Sequence, residues 1–597
     1  MFDFFYQLER EMARLKKQRR DNNIVVASRL LRIVLGEFFK ALSEQLLCLF
    51  YKLVHPFTWR RKSSGEVTAK DSNDKLKMAV LIAGGMGDAL MYSSVIKALS
   101  KRIGCDHIIG VVSNRKDQVD VLRFIFSGFP FVNVLEKSKF LLQRFANRKI
   151  FYDVEIGLNK VTTIMNCNHE LVKLKSPWLS NFCEKNEKFK LNNKKFFEGP
   201  SVHALVNQWA ILREMTRLQV ADQCKLLGID YATHTFLNLD PEGFSFLESA
   251  GLRGVKYITL QRGVGVWDKD KVELWDGDEK CSTGAVATST RIWPERHYEK
   301  FIKLFHEAYP DVKIIQVGAD QDLGIPFSGI DLNLVDQTSL QESAALLKYA
   351  IFHLDGDGGL VHMKRLLNGR SIVLLGTTPA NLIGYPENIN IAGPGCKSWC
   401  EWTTSEWHRK CLRGFKEAPC MASITPEMVM DGARKIIDNL KEHSYESVDC
   451  DLQEDEIGDF VGKQFQNRDI VIADIFNKSG WDLALKLRKN FSNITMFRLD
   501  FHYDSFSKAE ELGLKLEYGC LYNISMADDS CDAVIWQNGD QSEMRLEYIL
   551  GELFRIVKPG GLLIISGITI ESATLSGFGL PSTPKKVHVL KKQLAKI

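Results

Sequence analysis

Short apolar runs alternate with longer amphipathic runs along most of the chain from residue 76 onward. The segments KMAVLIA, HIIGVVS and FVNVLE have the length and β-branched content of buried strands, and a helical pattern over Ser93–Lys101 follows the first of them. A second alternating set begins at Val255–Gln261 and continues through RHYEKFIKLFHEAY, VKIIQVG, LQESAALLKYA, IFHLDGDGG and SIVLLG. Two such sets predict two doubly wound α/β sheets that face each other across a cleft.

Further segments complete this organisation. Val202–Leu218 predicts a long helix, and a third, shorter α/β pattern occupies about Asp469–Ile568. We therefore expect an α/β protein of four parts: N-terminal helices and a linker over 1–70, a first sheet domain over 71–254, a second over 255–445, and a Rossmann-like domain over 446–597.

The N-terminal segment Leu30–Phe57 is strongly apolar, but charged residues interrupt it. A membrane-spanning helix needs about 20 mostly apolar residues, so the segment predicts an amphipathic helix instead. Basic clusters flank it at Lys16–Arg20 and Trp59–Lys62. Two interpretations stay open: a helix on the anionic surface of the inner membrane, or a helix packed on the body of the protein or in a homo-oligomer contact.

Composition and charge narrow the class of protein. The chain has 597 residues, of which 45% are hydrophobic and 25% are charged, as in ordinary soluble globular proteins. The formal net charge of +4 does not predict a nucleic-acid partner. The 13 cysteines are scattered apart from one cluster, and no secretory signal is visible, so we expect a cytoplasmic protein.

A glycine-rich turn lies between the first predicted strand and its helix, in the sequence LIAGGMGDALMYSSVIKAL. Gly85 and Gly87 allow close approach of the backbone, and Asp88 falls at the start of the helix. Such a turn can bind phosphate through backbone N–H groups, or Asp88 can simply cap the helix. No Gly-Lys-Ser/Thr follows, so the turn is not a Walker motif.

Four segments in order resemble the motifs of glycosyltransferase family 9, the ADP-heptose heptosyltransferases. They are GGMGDALMYSSVIKAL, STRIWPERHYEKF, HLDGDGGLVHMKRLLNGRSIVLLGTTP and CMASITPEMV, and they span roughly Lys77–Asn439. The resemblance implies a GT-B fold and an inverting transfer of heptose from ADP-heptose to a lipopolysaccharide core sugar or a protein hydroxyl. It implies no cofactor for the transfer itself.

The resemblance also assigns roles to residues of the first two motifs. Asp88 occupies the position of the family's general base, which takes the proton of the acceptor hydroxyl. Gly85 and Gly87 belong to the donor-binding set. Arg291, two residues before Trp-Pro, would hold the diphosphate where the family often has lysine, and Trp293 is expected to pack in the core.

The third motif places further donor-binding residues. Asp357, Gly359 and His362 match the family's Asp-x-Gly-x-x-His pattern, with Asp355 as a competing choice for the aspartate. The aspartate would hydrogen-bond sugar hydroxyls or position the backbone that binds phosphate. His362 could contact the donor or simply pack. Two residues of the following turn would approach the diphosphate or the nucleotide: Gly376 and Thr378.

A cysteine cluster follows the third motif, formed by Cys396, Cys400, Cys411 and Cys420. Two pairs of thiolates could bind a tetrahedral metal, zinc or iron, with His408 as a substitute ligand. The branch of the family that glycosylates autotransporter proteins carries an iron-binding four-cysteine finger at this place, so the resemblance implies a structural metal. Reduced, partly buried cysteines or one disulfide are the alternatives.

The C-terminal segment Ser525–Gly567 resembles the second half of class I S-adenosylmethionine methyltransferases. Asp474 and Asp500 match acidic positions of that fold, but the sequence DIFNKSGW keeps only Gly480 of the usual glycine-rich turn. The resemblance implies the fold, whereas the missing glycines argue against S-adenosylmethionine binding and methylation. The strands that normally complete the sheet are not visible over 572–597.

Three hypotheses for the whole chain follow. The first is an inverting heptosyltransferase. The second is a bifunctional enzyme that also methylates, against which the missing glycines argue. The third is a non-catalytic scaffold of two degenerate enzyme folds, against which the retained Asp88, Arg291 and Asp357 argue.

Overall fold

The computed structural model describes most of the three sheet regions. The described residues are 76–82, 85–103, 108–113, 116–127, 132–136, 154–158, 162–167, 172–173, 176–177, 179–181, 184, 237, 239, 241–262, 275–276, 279–280, 290–319, 326–378, 380, 384–396, 411, 415, 417–438, 445–448, 452–465, 470–475, 482–498, 509, 511–518, 521–524, 526–537, 546–566 and 587–592. The chain forms two compact units, residues 1–74 and 75–597. The first unit lies outside the described residues, and so do the predicted helices over Leu30–Phe57 and Val202–Leu218.

The first sheet region comprises β1 (Lys77–Ile82), α1 (Met86–Ile103), β2 (Ile108–Ser113), α2 (Lys116–Ile125), β3 (Val132–Glu136), β4 (Val154–Leu158) and β5 (Thr162–Cys167). The strand order is β3-β2-β1-β4-β5, with β5 antiparallel to β4 and the other neighbours parallel. Met78, Ala79 and Val80 in the central strand are all fully buried, because helices cover both faces of such a sheet.

The second sheet region begins with α3 and ends with α8. Its elements are α3 (Pro241–Ser249), β6 (Tyr257–Leu260), β7 (Trp275–Asp276), β8 (Glu279–Lys280), α4 (Glu295–Ala308), β9 (Lys313–Gln316), β10 (Leu332–Asn333), α5 (Leu340–Tyr349), β11 (His353–Asp355), α6 (Gly359–Leu366), β12 (Ser371–Leu375), β13 (Ile389–Ala392), α7 (Pro419–Ala422) and α8 (Pro426–Ile437). The sheet is entirely parallel, in the order β10-β9-β6-β11-β12-β13.

Local sequence explains where the helices of this region begin and what they bury. Ser339 caps α5, and Glu342 returns a hydrogen bond to the Ser339 backbone, which forms a complete capping box. In α4, Tyr298, Phe301 and Phe305 recur at helical spacing and face the core. Their burial fixes α4 on the sheet and therefore fixes the loop that precedes it, which carries Arg291.

The third sheet region comprises β14 (Tyr445–Ser447), α9 (Ile457–Gln464), β15 (Val471–Ile475), α10 (Asp482–Arg488), β16 (Asn493–Arg498), β17 (Lys515–Tyr518), β18 (Cys531–Gln537), α11 (Leu546–Ile556), β19 (Val557–Ser566) and β20 (Val587–Lys592). Its order is β14-β20-β19-β18-β15-β16-β17. The expectation that closing strands are missing after residue 572 was wrong. β20 lies antiparallel to β19, and β14 adds a further antiparallel strand.

The predicted α/β fold class is confirmed: two doubly wound sheets are followed along the chain by a third, Rossmann-like sheet. One continuous apolar core contains residues of all three regions, among them Leu90, Phe244 and Leu553. Among the described residues, no helix is long and apolar enough to cross a membrane.

Candidate active site

The N-termini of α1 and α6 meet where the first two sheet regions face each other. A Cβ atom at Gly87 would lie 2.8 Å from His362 Cδ2 and 3.7 Å from Gly359 Cα, and one at Gly359 would lie 3.5 Å from Gly87 N. The two backbones are therefore in van der Waals contact, and a side chain would clash with the His362 ring at position 87 and with the end of the Met86 side chain at position 359. Each helix directs unpaired N–H groups and the positive end of its dipole toward this contact.

Asp88 lies in the first turn of α1, beside this contact. Its Oδ2 accepts a hydrogen bond of 2.8 Å from the Gly85 N–H, and the Gly85 carbonyl accepts one of 3.0 Å from Gln118 Nε2. One oxygen of Asp88 thus caps the helix, as the alternative interpretation expects. Burial, aided by the negative charge of Asp88, raises the pKa of Tyr92 one turn further along.

Two of the predicted donor-binding residues lie together in the second sheet region, across the α1–α6 contact from Asp88. Arg291 forms an ion pair with the Asp357 carboxylate, and its Nη2 also donates to the Asp357 carbonyl at 2.7 Å. Both side chains are largely buried, with 15% and 8% of their surfaces exposed. The pair fixes a guanidinium at the turn that leads into α6. Trp293 packs in the core as expected, and its Nε1 donates to the Ile424 carbonyl at 2.8 Å.

Asp355, the competing choice, lies beneath this turn and is fully buried. Its Oδ1 accepts a 2.7 Å hydrogen bond from the Gly356 N–H, and its Oδ2 has no hydrogen-bond partner among the described residues. A Cβ atom at Gly358 would overlap that Oδ2. Burial raises the pKa of Asp355 well above its usual value, although the Gly356 N–H and Arg291 oppose the shift. Asp355 therefore supports the turn through its hydrogen bond to the Gly356 N–H.

His353 lies beside Asp355 and is also fully buried. Its Nδ1 lies 3.0 Å from Thr259 Oγ1, and its Nε2 lies 3.6 Å from Asp355 Oδ2. Burial and the nearby Lys364 lower the pKa of His353 to about 3, so the imidazole is neutral at pH 7. A neutral imidazole thus lies beside the buried carboxyl group of Asp355.

The turn after β12 also reaches the carboxyl edge of the second sheet. A Cβ atom at Gly376 would lie 2.6 Å from the Thr290 carbonyl and 2.7 Å from Met421 Sδ, so packing alone requires glycine there. The hydroxyls of Thr377 and Thr378 are buried and have no hydrogen-bond partner among the described residues. Ligands in open α/β sheets bind at this edge. A buried hydroxyl without a hydrogen-bond partner costs folding free energy, and a bound ligand can supply the missing hydrogen bond.

His362 is nine-tenths buried between the two sheet regions. Its Nδ1 lies 2.7 Å from the Tyr385 hydroxyl, and the two rings pack edge to face with centroids 5.6 Å apart. Its other edge lies against Gly87. This is the geometry of a side chain packed across the contact, and a direct role in donor binding stays a prediction.

Arg262 is a residue at this edge that the sequence analysis missed. It lies two residues after Leu260, the end of β6, and is 3% exposed. Its Nη2 donates to Glu295 Oε1 at 2.8 Å, and its guanidinium carbon lies 4.0 Å from the centre of the Phe327 ring. A lone basic residue after an apolar strand was the available signal, but its burial depends on Phe327, which lies far along the chain.

The cysteine cluster is only partly described. Cys420 is buried and Cys396 and Cys411 are partly buried, while Cys400 and His408 lie outside the described residues. Within the described part of the chain, no group of three or more His, Cys, Asp or Glu side chains is placed to hold a metal ion. The structural iron or zinc stays a prediction.

The methyltransferase-like region supplies one of its three predicted residues. Asp474 lies in β15, an interior strand of the third sheet between β18 and β16, and is 1% exposed. Gly480 and Asp500 lie outside the described residues. S-adenosylmethionine binding stays a prediction.

Comparisons with known proteins complete this description. No protein-family model matches the sequence, and no curated protein matches it. A similar solved structure is ADP-heptose lipopolysaccharide heptosyltransferase II of E. coli, at 14% identity and a TM-score of 0.36, covering 60% of this chain and 98% of its own. The iron-containing dodecameric glycosyltransferase TibC of enterotoxigenic E. coli H10407 follows at 12% identity and a TM-score of 0.36, covering 61% of this chain and 78% of its own.

The C-terminal region has its own structural likeness. An S-adenosyl-L-methionine-dependent methyltransferase from Methanococcus maripaludis is 19% identical with a TM-score of 0.17, covering 21% of this chain and 59% of its own. Identities and TM-scores of this size leave the function of this chain to be argued from its own residues.

Proposed function

We propose that the protein is an inverting glycosyltransferase that uses a nucleoside diphosphate sugar. The observation that carries the proposal is the contact between the N-termini of α1 and α6 at Gly87 and Gly359. It brings Asp88, from the first sheet region, next to the turn that carries the Arg291–Asp357 pair of the second. A base and an anion-binding turn on opposite sides of one cleft are what glycosyl transfer from a diphosphate requires.

The residues divide the chemical work between the two sides. The N–H groups at the start of α6 and the guanidinium of Arg291 would bind the diphosphate and offset the negative charge that grows on it as it leaves. The acceptor oxygen forms its bond to the anomeric carbon as the bond from that carbon to the phosphate oxygen breaks. Asp88 takes the proton of the acceptor hydroxyl, a contribution typically of about 10²–10⁴ in rate.

The specific donor and acceptor are the finer part of the proposal. The four ordered motifs favour ADP-heptose as the donor and a lipopolysaccharide core sugar or a protein hydroxyl as the acceptor. The proposal also includes a structural iron or zinc at the four cysteines and formation of a homo-oligomer. It further includes a cytoplasmic location, with peripheral contact of the N-terminal helix with the inner membrane. Transfer itself would need no cofactor.

The first experiment is donor selection by the purified full-length chain. The protein is incubated with ADP-heptose and, separately, with other nucleotide sugars, and release of the nucleoside diphosphate is measured, with Asp88→Asn as the control variant. Release from ADP-heptose alone would support both parts of the proposal. Release from another donor would keep the glycosyltransferase and overturn the sugar, whereas a chain that binds no donor would contradict the proposal as a whole.

A further inference from the structure

The third sheet region holds one end of the helix whose other end forms the candidate site. α6 begins at Gly359 against α1 and ends at Leu366, so its two ends are about 12 Å apart at about 1.5 Å per residue. Asn523, between β17 and β18, is fully buried. Its Nδ2 donates to the carbonyl of Leu366 at 3.0 Å and to that of Leu237 at 2.8 Å.

Further hydrogen bonds join the same end of α6 to the third region. Lys348 Nζ donates to the Leu367 carbonyl at 3.1 Å and to Asn523 Oδ1 at 3.1 Å. Asn368 Nδ2 donates to the Ile524 carbonyl at 3.0 Å. The last carbonyls of a helix have no donor within the helix. Here two of them are satisfied by side chains that the third region supplies or positions.

A buried charged cluster fixes these donors. Glu552 of α11 lies 2.7 Å from Lys348 Nζ, and these side chains are 5% and 6% exposed. Glu552 also accepts from the Ile524 N–H at 2.9 Å and from Arg555 Nη2 at 2.9 Å. Because each charge is desolvated and paired, removal of either would leave the other uncompensated.

Aromatic packing makes the contact rigid. Phe244 of α3 packs against Tyr522 and Tyr548 of the third region, with ring centroids 4.4 and 4.6 Å apart. Tyr349, at the end of α5, packs against Tyr548 at 4.8 Å. The contact therefore combines an apolar surface with paired polar groups, and it surrounds the C-terminal end of α6.

We propose that the third sheet domain is a structural clamp for the donor-binding half. Asn523 is the positioning residue: it fixes the C-terminal end of α6 and thereby sets the position of Gly359 and its turn against α1. The effect expected on donor affinity rests on the proposed function, whereas the fixing of α6 does not. This gives the domain a role that does not depend on S-adenosylmethionine.

The test compares four full-length proteins: wild type, Asn523→Ala, Asn368→Gly and the control Lys558→Met. Lys558 pairs with Asp532 at 2.6 Å inside the third region. Asn368→Gly removes two hydrogen bonds, from Asn368 Nδ2 to the Ile524 carbonyl and to Asn523 Oδ1, and keeps the left-handed backbone at φ 57°. Amide hydrogen exchange over 359–368, the ADP dissociation constant, the donor KM with kcat, and the unfolding midpoint are measured.

We expect exchange over α6 to be about tenfold faster in Asn523→Ala and raised to a smaller extent in Asn368→Gly. ADP binding should weaken about tenfold in Asn523→Ala, with a larger change in donor KM than in kcat, because the site is displaced rather than stripped of a catalytic group. Lys558→Met should match wild type in exchange and in ADP affinity.

The outcomes separate this inference from the proposed function. Wild-type exchange over α6 in Asn523→Ala and Asn368→Gly would overturn the clamp. Faster exchange with unchanged ADP affinity would overturn its link to the site. If wild type binds no ADP while exchange over α6 still rises, the proposed donor is wrong and the clamp stands. If Asn523→Ala does not fold, the exchange over α6 and the ADP affinity of Asn368→Gly decide whether the clamp exists.

Discussion

At Asp88, helix capping and base catalysis use the same side chain. Its Oδ2 accepts the Gly85 N–H at 2.8 Å, which positions the carboxylate at the α1–α6 contact. Asp88 is the third residue of α1 and accepts from the N–H of Gly85 directly before the helix, as in half of a capping box, and an asparagine side-chain oxygen can accept the same hydrogen bond. A substitution that keeps the cap and removes the basic oxygen therefore separates the two roles.

Asp88→Asn should lower kcat by about 10²–10⁴ because it removes the proton acceptor. ADP affinity and the unfolding midpoint should stay near their wild-type values, since the cap is kept. Donor turnover and ADP calorimetry on the same preparation measure both. Near-normal turnover with intact ADP binding would show that Asp88 only caps α1.

Arg291 forms an ion pair with Asp357 and, in the proposed function, also binds the donor diphosphate. Arg291→Ala should weaken ADP binding by roughly 10- to 100-fold, the range of a charge-assisted hydrogen bond. Arg291→Lys is the matched variant: it keeps a point charge and should lose less than about tenfold. Calorimetry with ADP measures both variants, and equal affinity in all three proteins would place the diphosphate elsewhere.

At the scale of elements, two opposing effects decide which residue is favoured at position 87, where α1 contacts α6. A methyl group at Gly87 would lie 2.8 Å from the His362 ring, which its hydrogen bond to Tyr385 holds in place. Alanine favours a helix over glycine by about 1 kcal/mol, but overpacking typically costs about 1–3 kcal/mol. The two effects oppose each other, so the single variant is less informative than its combination with a smaller residue 362.

Gly87→Ala and His362→Ala should therefore be coupled. We expect a coupling free energy of about 0.5–3 kcal/mol, with the double variant more stable than the sum of the single changes. Urea unfolding of the four proteins of the cycle measures it. Additive single changes would mean that the ring moves aside at no cost and that Gly87 is not required by packing.

Elements with a strong hydrophobic period were predictable from the sequence, and the contacts between them were not. The strands over 77–82, 257–260 and 371–375 follow from short apolar runs. β14 is three residues long, which is too short to show a hydrophobic period. Lys592, at the end of β20, is a charged residue that the sequence pattern would leave on the surface. Lys592 is nevertheless 1% exposed, because its Nζ donates to the Phe554 carbonyl of α11 and to the Val557 carbonyl at the start of β19.

The same limit applies to the candidate site. The Gly-rich turns and the motif residues around Arg291 and Asp357 could be found by spacing. The burial of Arg262 on Phe327 and the bond from Asn523 to Leu366 join residues that are far apart in the chain. Such pairs follow from how helices and sheets pack, and a pattern of polar and apolar positions carries no information about the partner.

At the scale of the whole molecule, the clamp makes the chain sensitive to acid at one buried carboxylate. Burial opposes ionisation of Glu552, but Arg555 and Lys348 outweigh it and lower its pKa to about 2, from an ordinary value of 4.5. The unfolded chain therefore binds the proton first as the pH falls. The stability that Glu552 contributes is complete above pH 4.5 and is lost as the pH falls from 4.5 toward 2.

The full-length protein should accordingly lose on the order of 3 kcal/mol of stability from this group over that interval. Glu552→Gln should be less stable at pH 7, because it leaves Lys348 and Arg555 without their buried counter-charge. It should also show a flatter fall in stability on acidification than wild type. Glu427→Gln is the control: Glu427 pairs with Lys300 on the surface, where water screens the interaction, so its pH dependence should match wild type. Urea midpoints at several pH values measure all three proteins, and parallel curves for wild type and Glu552→Gln would mean that Lys348 and Arg555 do not lower the pKa of Glu552 in the folded protein.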